Sequence, residues 1–360
     1  MPAPQETVLV TGSSGLIGTA VSERLARRFD VVGFDLAEPH GPHPAAAFVK
    51  IDLTSDESVA GALDRLRQGH GERLASVVHL AAYYDFSGKP SPLYQEVTVR
   101  GTERLLRGLR AFRVDRLLFS STMLVHAPCE PGQRIDEDWP LDPKWDYPQS
   151  KAETERLLRA QRGATPLALL RIAGVYDAWC HSVPIANQVQ RIYERTLTGR
   201  VYPGDPSRGQ AFLHLDDLVD ATERLIERRA QLPPELTLLL GEPETLSYDE
   251  LQRTIGQLLH GQVWETRVIP KPLAKAGAWV QDALPGEEPF IKPWMIDLAD
   301  DHYALDITRA RQLLGWEPRH ALRDVLPEMI ANLKADPAAW YKENKLGAPG
   351  GPRTPVGAGR

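Results

Sequence analysis

The sequence predicts an α/β protein, a doubly wound parallel sheet followed by a smaller C-terminal α/β lobe. Two observations carry this. From residue 7 to about 172, short β-branched runs alternate with amphipathic stretches of helical length, the pattern of parallel strands joined by crossover helices. Beyond about 173 the texture changes, and prolines such as Pro184, Pro203, Pro233, Pro270 and Pro293 punctuate shorter elements. The expected limits are a sheet domain over 1–172, with return strands interleaved from 173–240, and a lobe over 173–346 that supplies substrate contacts. The stretch 347–360 is rich in Gly and Pro without apolar periodicity and reads as a disordered tail.

The first strand, near 7–11, runs into Gly12-Ser13-Ser14-Gly15-Leu16-Ile17-Gly18. A strand, a glycine-rich turn and a helix start form the place where a dinucleotide pyrophosphate binds. Gly12 suits the tight turn, Gly15 the close approach of backbone to phosphate, and Gly18 the packing of helix on strand. The helix N-terminus offers unpaired N–H groups and a positive dipole end. An ordinary strand-turn-helix corner shows the same triplet. The second strand, near 31–35, ends about twenty positions on in Asp35, where an acid accepts hydrogen bonds from the ribose hydroxyls. A carboxylate there repels a 2′-phosphate, which favours NAD over NADP. The third strand, near 47–51, leads into Asp52, within reach of the adenine edge; either aspartate also suits a plain turn.

The fourth strand, near 75–81, precedes Tyr83-Tyr84-Asp85-Phe86, whose aromatics suit stacking on a ring or apolar substrate face, or packing under a loop. The fifth, near 115–120, ends in Ser120-Ser121-Thr122, hydroxyls that either face the crevice at the carboxyl ends of the strands or form a polar strand terminus. The sixth lies near 166–172. Between these two, Tyr147 and Lys151 stand four apart at the start of a predicted helix, with Pro148 in its first turn, so both project from one face. A cation near a phenol favours the phenolate, which makes Tyr147 a candidate acid and base near neutral pH. Farther on, Gly315 is placed to stop a helix and Pro318 to prevent its resumption.

Composition narrows the remaining classes. A net charge of −6 over 360 residues, with no Lys/Arg block, speaks against a nucleic-acid partner. Cys129 and Cys180 are too few for a disulfide framework or a cysteine zinc site, and a reducing cytoplasm is the expected setting. His126, His181 and His214 show no ligand spacing, so no metal is expected, and His40 and His43 read as solvent-exposed. The chain begins without a leader pattern and holds no apolar run near the ~20 residues of a membrane helix, so a soluble protein without membrane contact is expected.

Together these residues resemble the extended short-chain dehydrogenase/reductase superfamily, in its NAD-dependent epimerase/dehydratase group. The resemblance is carried by Thr11 to Gly18, Asp35, Asp52-Leu53, His79-Leu80-Ala81-Ala82, Ser120-Ser121-Thr122 and Tyr147 with Lys151. Arg171 with Val175-Tyr176, Phe212 to Asp217 and Leu314 to Pro318 extend it over about 7 to 335. It implies a Rossmann-type sheet holding NAD through Gly12, Ser14, Gly15, Leu16, Ile17, Gly18, Asp35, Asp52, Leu53, Leu80, Ala81, Ala82, Ser120, Tyr147 and Lys151. It also implies Tyr147 as general acid/base, Lys151 as the group that holds the nicotinamide ribose and lowers the tyrosine pKa, and Thr122, with Ser121 as fallback, as the hydroxyl that polarises the substrate oxygen. Tyr84, Ser121, Thr122 and Tyr147 would meet the substrate. The implied protein is an epimerase or dehydrogenase acting at a secondary alcohol carbon of a sugar, sugar nucleotide or similar hydroxylated small molecule. Pairing of the amphipathic runs near 92–111 and 148–162 would make it a homodimer.

Departures from that pattern matter. Met123 and Leu124 follow Thr122 where 4,6-dehydratases carry an Asp-Glu pair, which speaks against dehydration. Gln210 in Gly209-Gln210-Ala211-Phe212, and the run Phe290 to Met295, lack the two arginines that grip a nucleotide diphosphate. Each such contact contributes about 1.5–3 kcal/mol. Their loss supports a hydroxysteroid-dehydrogenase-like or small-carbonyl oxidoreductase as the alternative. A non-catalytic NAD-sensing protein is a third reading, which the Thr122, Tyr147, Lys151 set weighs against. Thr98 stands where the group commonly has an asparagine, leaving open what fixes the backbone there.

Overall fold

The computed structural model describes residues 5–38, 47–85, 89–282 and 291–347, with backbone alone for 278–282. His40, His43, Phe86, Phe290 and, of the tail expected over 347–360, residues 348–360 lie outside the described residues. In chain order the strands are β1 Thr7–Thr11, β2 Asp30–Asp35, β3 Ala47–Lys50, β4 Arg73–Leu74, β5 Ser76–His79, β6 Arg113–Val114, β7 Leu117–Thr122, β8 Leu167–Ile172, β9 Gly174–Tyr176, β10 Val201–Tyr202, β11 Phe212–His214, β12 Glu235–Leu240 and β13 Arg267–Val268. The helices that position the site are α1 Leu16–Leu25, α2 Asp56–His70, α3 Arg100–Leu109, α4 Asp146–Gln161, α5 Val183–Tyr193, α6 Leu215–Glu227, α7 Tyr248–His260, α8 Lys271–Asp282 and α9 Pro293–Asp297. Three more, α10 Thr308–Leu314, α11 Leu322–Ala335 and α12 Pro337–Glu343, follow.

Seven strands form one parallel sheet in the order β12-β8-β7-β5-β1-β2-β3. The order reverses between β1 and β5, which opens a crevice at the carboxyl ends of the central strands. Every residue of β1, β5 and β8 is buried, as expected of parallel strands covered by helices on both faces. One face of the sheet packs a core containing Val8, Val10, Leu118 and Leu170 with Leu225 of α6. The other packs Leu9, Val77, Phe119 and Leu169 against Leu63 of α2 and Leu105 of α3. A third apolar cluster, built from Tyr176, Ile185, Trp264, Leu326 and Trp340, lies in the C-terminal half.

Two local features depart from the simple reading. The run expected as one amphipathic helix near 92–111 is a π-helical segment, Tyr94–Val99, followed by α3. The fifth strand extends to Thr122, so this hydroxyl ends the strand and caps the short turn after it, accepting from Leu124 N–H at 3.3 Å.

Candidate active site

Residues from both ends of the described chain converge on a cleft of about 690 Å3. Gly12, Gly15, Leu16, Ile17 and Gly18 line one end, Ser120, Thr122, Tyr147 and Lys151 the middle, and Trp145, Trp294 and Tyr303 the far wall. Leu80, Ala82, Tyr84 and Ser121 also border it.

The loop geometry tests whether a dinucleotide fits. Gly12 has φ +72°, and a Cβ there would stand 2.8 Å from Ala81 N. A Cβ on Gly18 would lie 1.9 Å from Gly12 O, so helix and loop pack with no room for a side chain. At Gly15 an added Cβ would meet only Gly12 O, at 3.5 Å. Gly15 begins α1 with no side-chain cap, and no acidic residue occupies the first turn. The first N–H groups of the helix therefore face the cleft without a carboxylate of their own, and the site fits a phosphate-bearing cofactor. Asp35 ties this loop down, its Oδ2 accepting Ser14 N–H at 2.9 Å and its Oδ1 accepting Ala37 N–H at 3.2 Å.

Not every expected residue reaches the cleft lining. Ser14, Asp35 and Ala81 flank it, and Ala81 N–H donates to Thr11 Oγ1 at 3.3 Å behind the loop. Asp52 closes a turn, its Oδ1 accepting from Thr54 N–H at 2.8 Å and Thr54 Oγ1 at 2.7 Å, while Leu53 is buried. Ser121, the fallback for the substrate oxygen, borders the cleft, and its hydroxyl donates to Glu155 at 2.6 Å. Thr122 is the hydroxyl of that strand end that shares the cleft with the Tyr147 phenol and draws its pKa down.

The phenol's charge state also departs from expectation. Burial, reinforced by the neighbouring Tyr94, pushes Tyr147 well above the ordinary phenol range, and the Thr122 hydrogen bond opposes this only in part. Lys151 does not offset it. Its Nζ lies 5.8 Å from the Tyr147 ring centroid and donates to the Ser120 carbonyl at 2.6 Å. Burial brings this lysine down to about 7, against the pull of Glu155. Tyr84 meets Tyr147 edge-on at 4.8 Å, and its pKa is raised by burial and then by Tyr147, although 42% of the residue is exposed.

Behind the cleft, buried polar groups fix the strand ends. Thr11 Oγ1 bonds His79 Nδ1 at 2.6 Å, His79 Nε2 bonds Thr102 Oγ1 at 2.8 Å, and Thr102 donates to the Thr98 carbonyl at 2.5 Å. That last donation assigns the His79 proton to Nε2. Burial, then Lys151, brings the imidazole down to about 3, so it is neutral. Thr98 answers the question its substitution raised: its hydroxyl accepts Tyr83 N–H at 3.0 Å and anchors the aromatic segment next to the cleft.

Several lining residues escaped sequence reasoning. Trp145, which precedes Tyr147 by two, has its ring 5.4 Å from that ring and 4.9 Å from Trp294 of α9. His181 joins the cleft from the loop after β9, held by Asp177 at 2.6 Å. The adjacency of Trp145 to Tyr147 was a usable signal, whereas Trp294 and His181 had none in the local pattern. His214, Asp216 and His320 bring one ligand atom each within 4.8 Å, a grouping that spacing alone did not reveal. Their atoms serve the fold: His214 Nδ1 caps α6 by accepting Asp216 N–H at 3.2 Å, and His320 Nδ1 bonds Asp217 at 3.0 Å.

Known proteins share this architecture. The model of the NAD dependent epimerase/dehydratase family matches residues 8–241. The chain is 29% identical to UDP-glucose 4-epimerase of Mycolicibacterium smegmatis, covering 89% of this chain and 96% of that protein. It is 22% identical to 3-beta-hydroxysteroid dehydrogenase of Mycolicibacterium neoaurum, over 90% of each. Among solved structures, the UDP-glucose 4-epimerase of Thermus thermophilus in complex with NAD superposes with a TM-score of 0.68 at 24% identity, over 92% of this chain and 99% of that one. Among the described residues, no helix is long and apolar enough to cross a membrane.

Proposed function

The chain belongs to the NAD dependent epimerase/dehydratase family, with NAD as its cofactor, and from that premise we propose that it works at a secondary alcohol carbon, as an epimerase or dehydrogenase, through Thr122, Tyr147 and Lys151. The observation that carries the reading is the convergence of Thr122, Tyr147 and Lys151 in one cleft whose other end is the uncapped start of α1. Bound NAD supplies the oxidant that takes up, or gives back, the electron pair of the reacting C–H bond. The chain's own groups handle the proton. A phenol held protonated by burial donates to a carbonyl oxygen and is left as phenolate, and in the other direction the phenolate takes the hydroxyl proton as that oxygen becomes a carbonyl. Thr122 offers a second hydrogen bond to the same oxygen and orients the phenol. Lys151, anchored on the Ser120 carbonyl, would hold the nicotinamide ribose.

This reading extends to a homodimer formed through the Tyr94–Leu109 segment and α4, in a reducing cytoplasm that suits the buried free thiols Cys129 and Cys180. Sedimentation of the purified chain tests the dimer. For the activity, purified protein is assayed for NAD carried through chromatography and for free NADH on addition of secondary alcohols. Retained NAD with substrate interconversion and no net NADH supports epimerisation, and NADH release supports dehydrogenation. Retained NAD with no turnover of any alcohol, sugar or sugar nucleotide would sink the catalytic reading.

A further inference from the structure

What the cleft can accept follows from its far wall, once the alcohol reading just given is taken as the basis. Trp145 and Trp294 lie with ring centroids 4.9 Å apart at 34°, next to Tyr147. Met123, Ile172, Val175 and Leu298 continue this apolar surface. Charge is sparse and already engaged. Among the described residues lining the cleft there is no arginine, and Gln210 contributes only a neutral amide. Lys144 is paired with Asp142 at 2.5 Å, Lys151 donates to Ser120 O at 2.6 Å, and His181 is held by Asp177 at 2.6 Å. Asp301 adds a carboxylate to the same lining. A diphosphate taken from water into this wall would trade hydration for donors bonded elsewhere and a nearby negative charge, an uncompensated desolvation. An apolar ring loses nothing comparable and gains aromatic contact.

We propose that the substrate is an uncharged, largely apolar ring alcohol or the corresponding ketone, seated against the Trp145–Trp294 wall with its oxygen at Thr122 and Tyr147, and that nucleotide diphosphates are excluded. The test uses the full chain loaded with NAD. The fused-ring alcohol 2-decalol, UDP and UDP-glucose are titrated separately while tryptophan fluorescence and NADH absorbance are followed. Saturable quenching by 2-decalol, with NADH formed and no response to UDP or UDP-glucose, is the expected result. Trp294→Ala is expected to raise the KM for 2-decalol about tenfold without changing the KM for NAD. Saturable binding of UDP, or turnover of UDP-glucose, overturns the proposal and leaves the alcohol chemistry standing. Failure of 2-decalol to perturb the fluorescence overturns it too, a wild-type result that does not depend on how any variant folds. Binding of 2-decalol with neither NADH formed nor its epimers interconverted supports the wall and counts against the alcohol chemistry instead.

Discussion

Arg171 grips Glu155 through two parallel hydrogen bonds, Nε to Oε1 at 3.0 Å and Nη2 to Oε2 at 2.7 Å, with both side chains almost wholly removed from water. The same carboxylate accepts Ser121 at 2.6 Å and Arg159 at 3.2 Å, while Arg171 Nη1 reaches His126 Nε2 and the Glu137 carbonyl, each at 3.0 Å. This network sits directly behind the strand that ends in Thr122. Arg171→Met strips Glu155 of its closest cation in a buried site, and is expected to lower the unfolding free energy by about 3–5 kcal/mol. Urea denaturation measures it. A loss near zero would show that the pair does not anchor the strand.

Tyr147→Phe keeps the ring and removes the oxygen to which proton transfer is assigned in the proposed function. Turnover is expected to fall by about 10²–10⁴-fold, the usual contribution of a positioned acid or base. Affinity for NAD, read by titration, should stay close to wild type, because the glycine loop and α1 are untouched. Undiminished turnover in the variant would remove Tyr147 from the chemistry.

Asp35→Ala removes the carboxylate that accepts the Ser14 and Ala37 N–H groups and that, on the proposed cofactor assignment, repels a 2′-phosphate. The ratio of KM for NADP to KM for NAD is expected to drop toward one, with a weaker hold on both cofactors as the loop loses its tie. A variant that keeps the wild-type ratio would place selectivity elsewhere.

His181 gives a pH signature of known sign. Its ring is bonded to Asp177 at 2.6 Å and lies 3.6 Å from Glu343, and these carboxylates raise its pKa above the ordinary 6.5, with Asp177 the larger influence. A raised folded-state value means that the stabilisation is fully present below about 6.5 and fades as pH rises through the folded pKa. The buried neutral histidines act in the opposite sense. His79, brought down to about 3, and His126, to about 4, both chiefly by burial, withdraw stability as pH falls below 6.5 because only the unfolded chain takes up their protons. Thermal unfolding as a function of pH should show both flanks, and His181→Gln should flatten only the alkaline one. An unchanged alkaline slope in that variant would exclude the Asp177–His181–Glu343 link as its cause.

Much of the sheet was legible because its strands are local apolar runs. The strands expected near 7–11, 31–35 and 166–172 occur at Thr7–Thr11, Asp30–Asp35 and Leu167–Ile172. The glycine loop and the Tyr147–Lys151 helix were equally readable, since each motif is contiguous and its chemistry depends on spacing. What the pattern could not convey was direction. Ser121 and Thr122 are neighbours in sequence, yet strand alternation turns one hydroxyl to Glu155 and leaves the other at Tyr147. The ammonium was expected to lower the phenol's pKa, whereas burial raises it, and burial is a property of the assembled cleft. Trp294 and His181 join the site through tertiary packing alone, as does the ion pair between Arg171 and Glu155.

Trp294 rides on α9, a helix of five residues that reaches the cleft through Trp294 and Met295, with Leu298 directly after it. The loop for the coenzyme and the proton-handling pair lie on separate segments, rooted in the central sheet. On the proposed function, rewriting one brief stretch near the C-terminal end would therefore change which molecules are admitted while the proposed redox apparatus stays intact, so a descendant of this chain could acquire a new diet without relearning its chemistry.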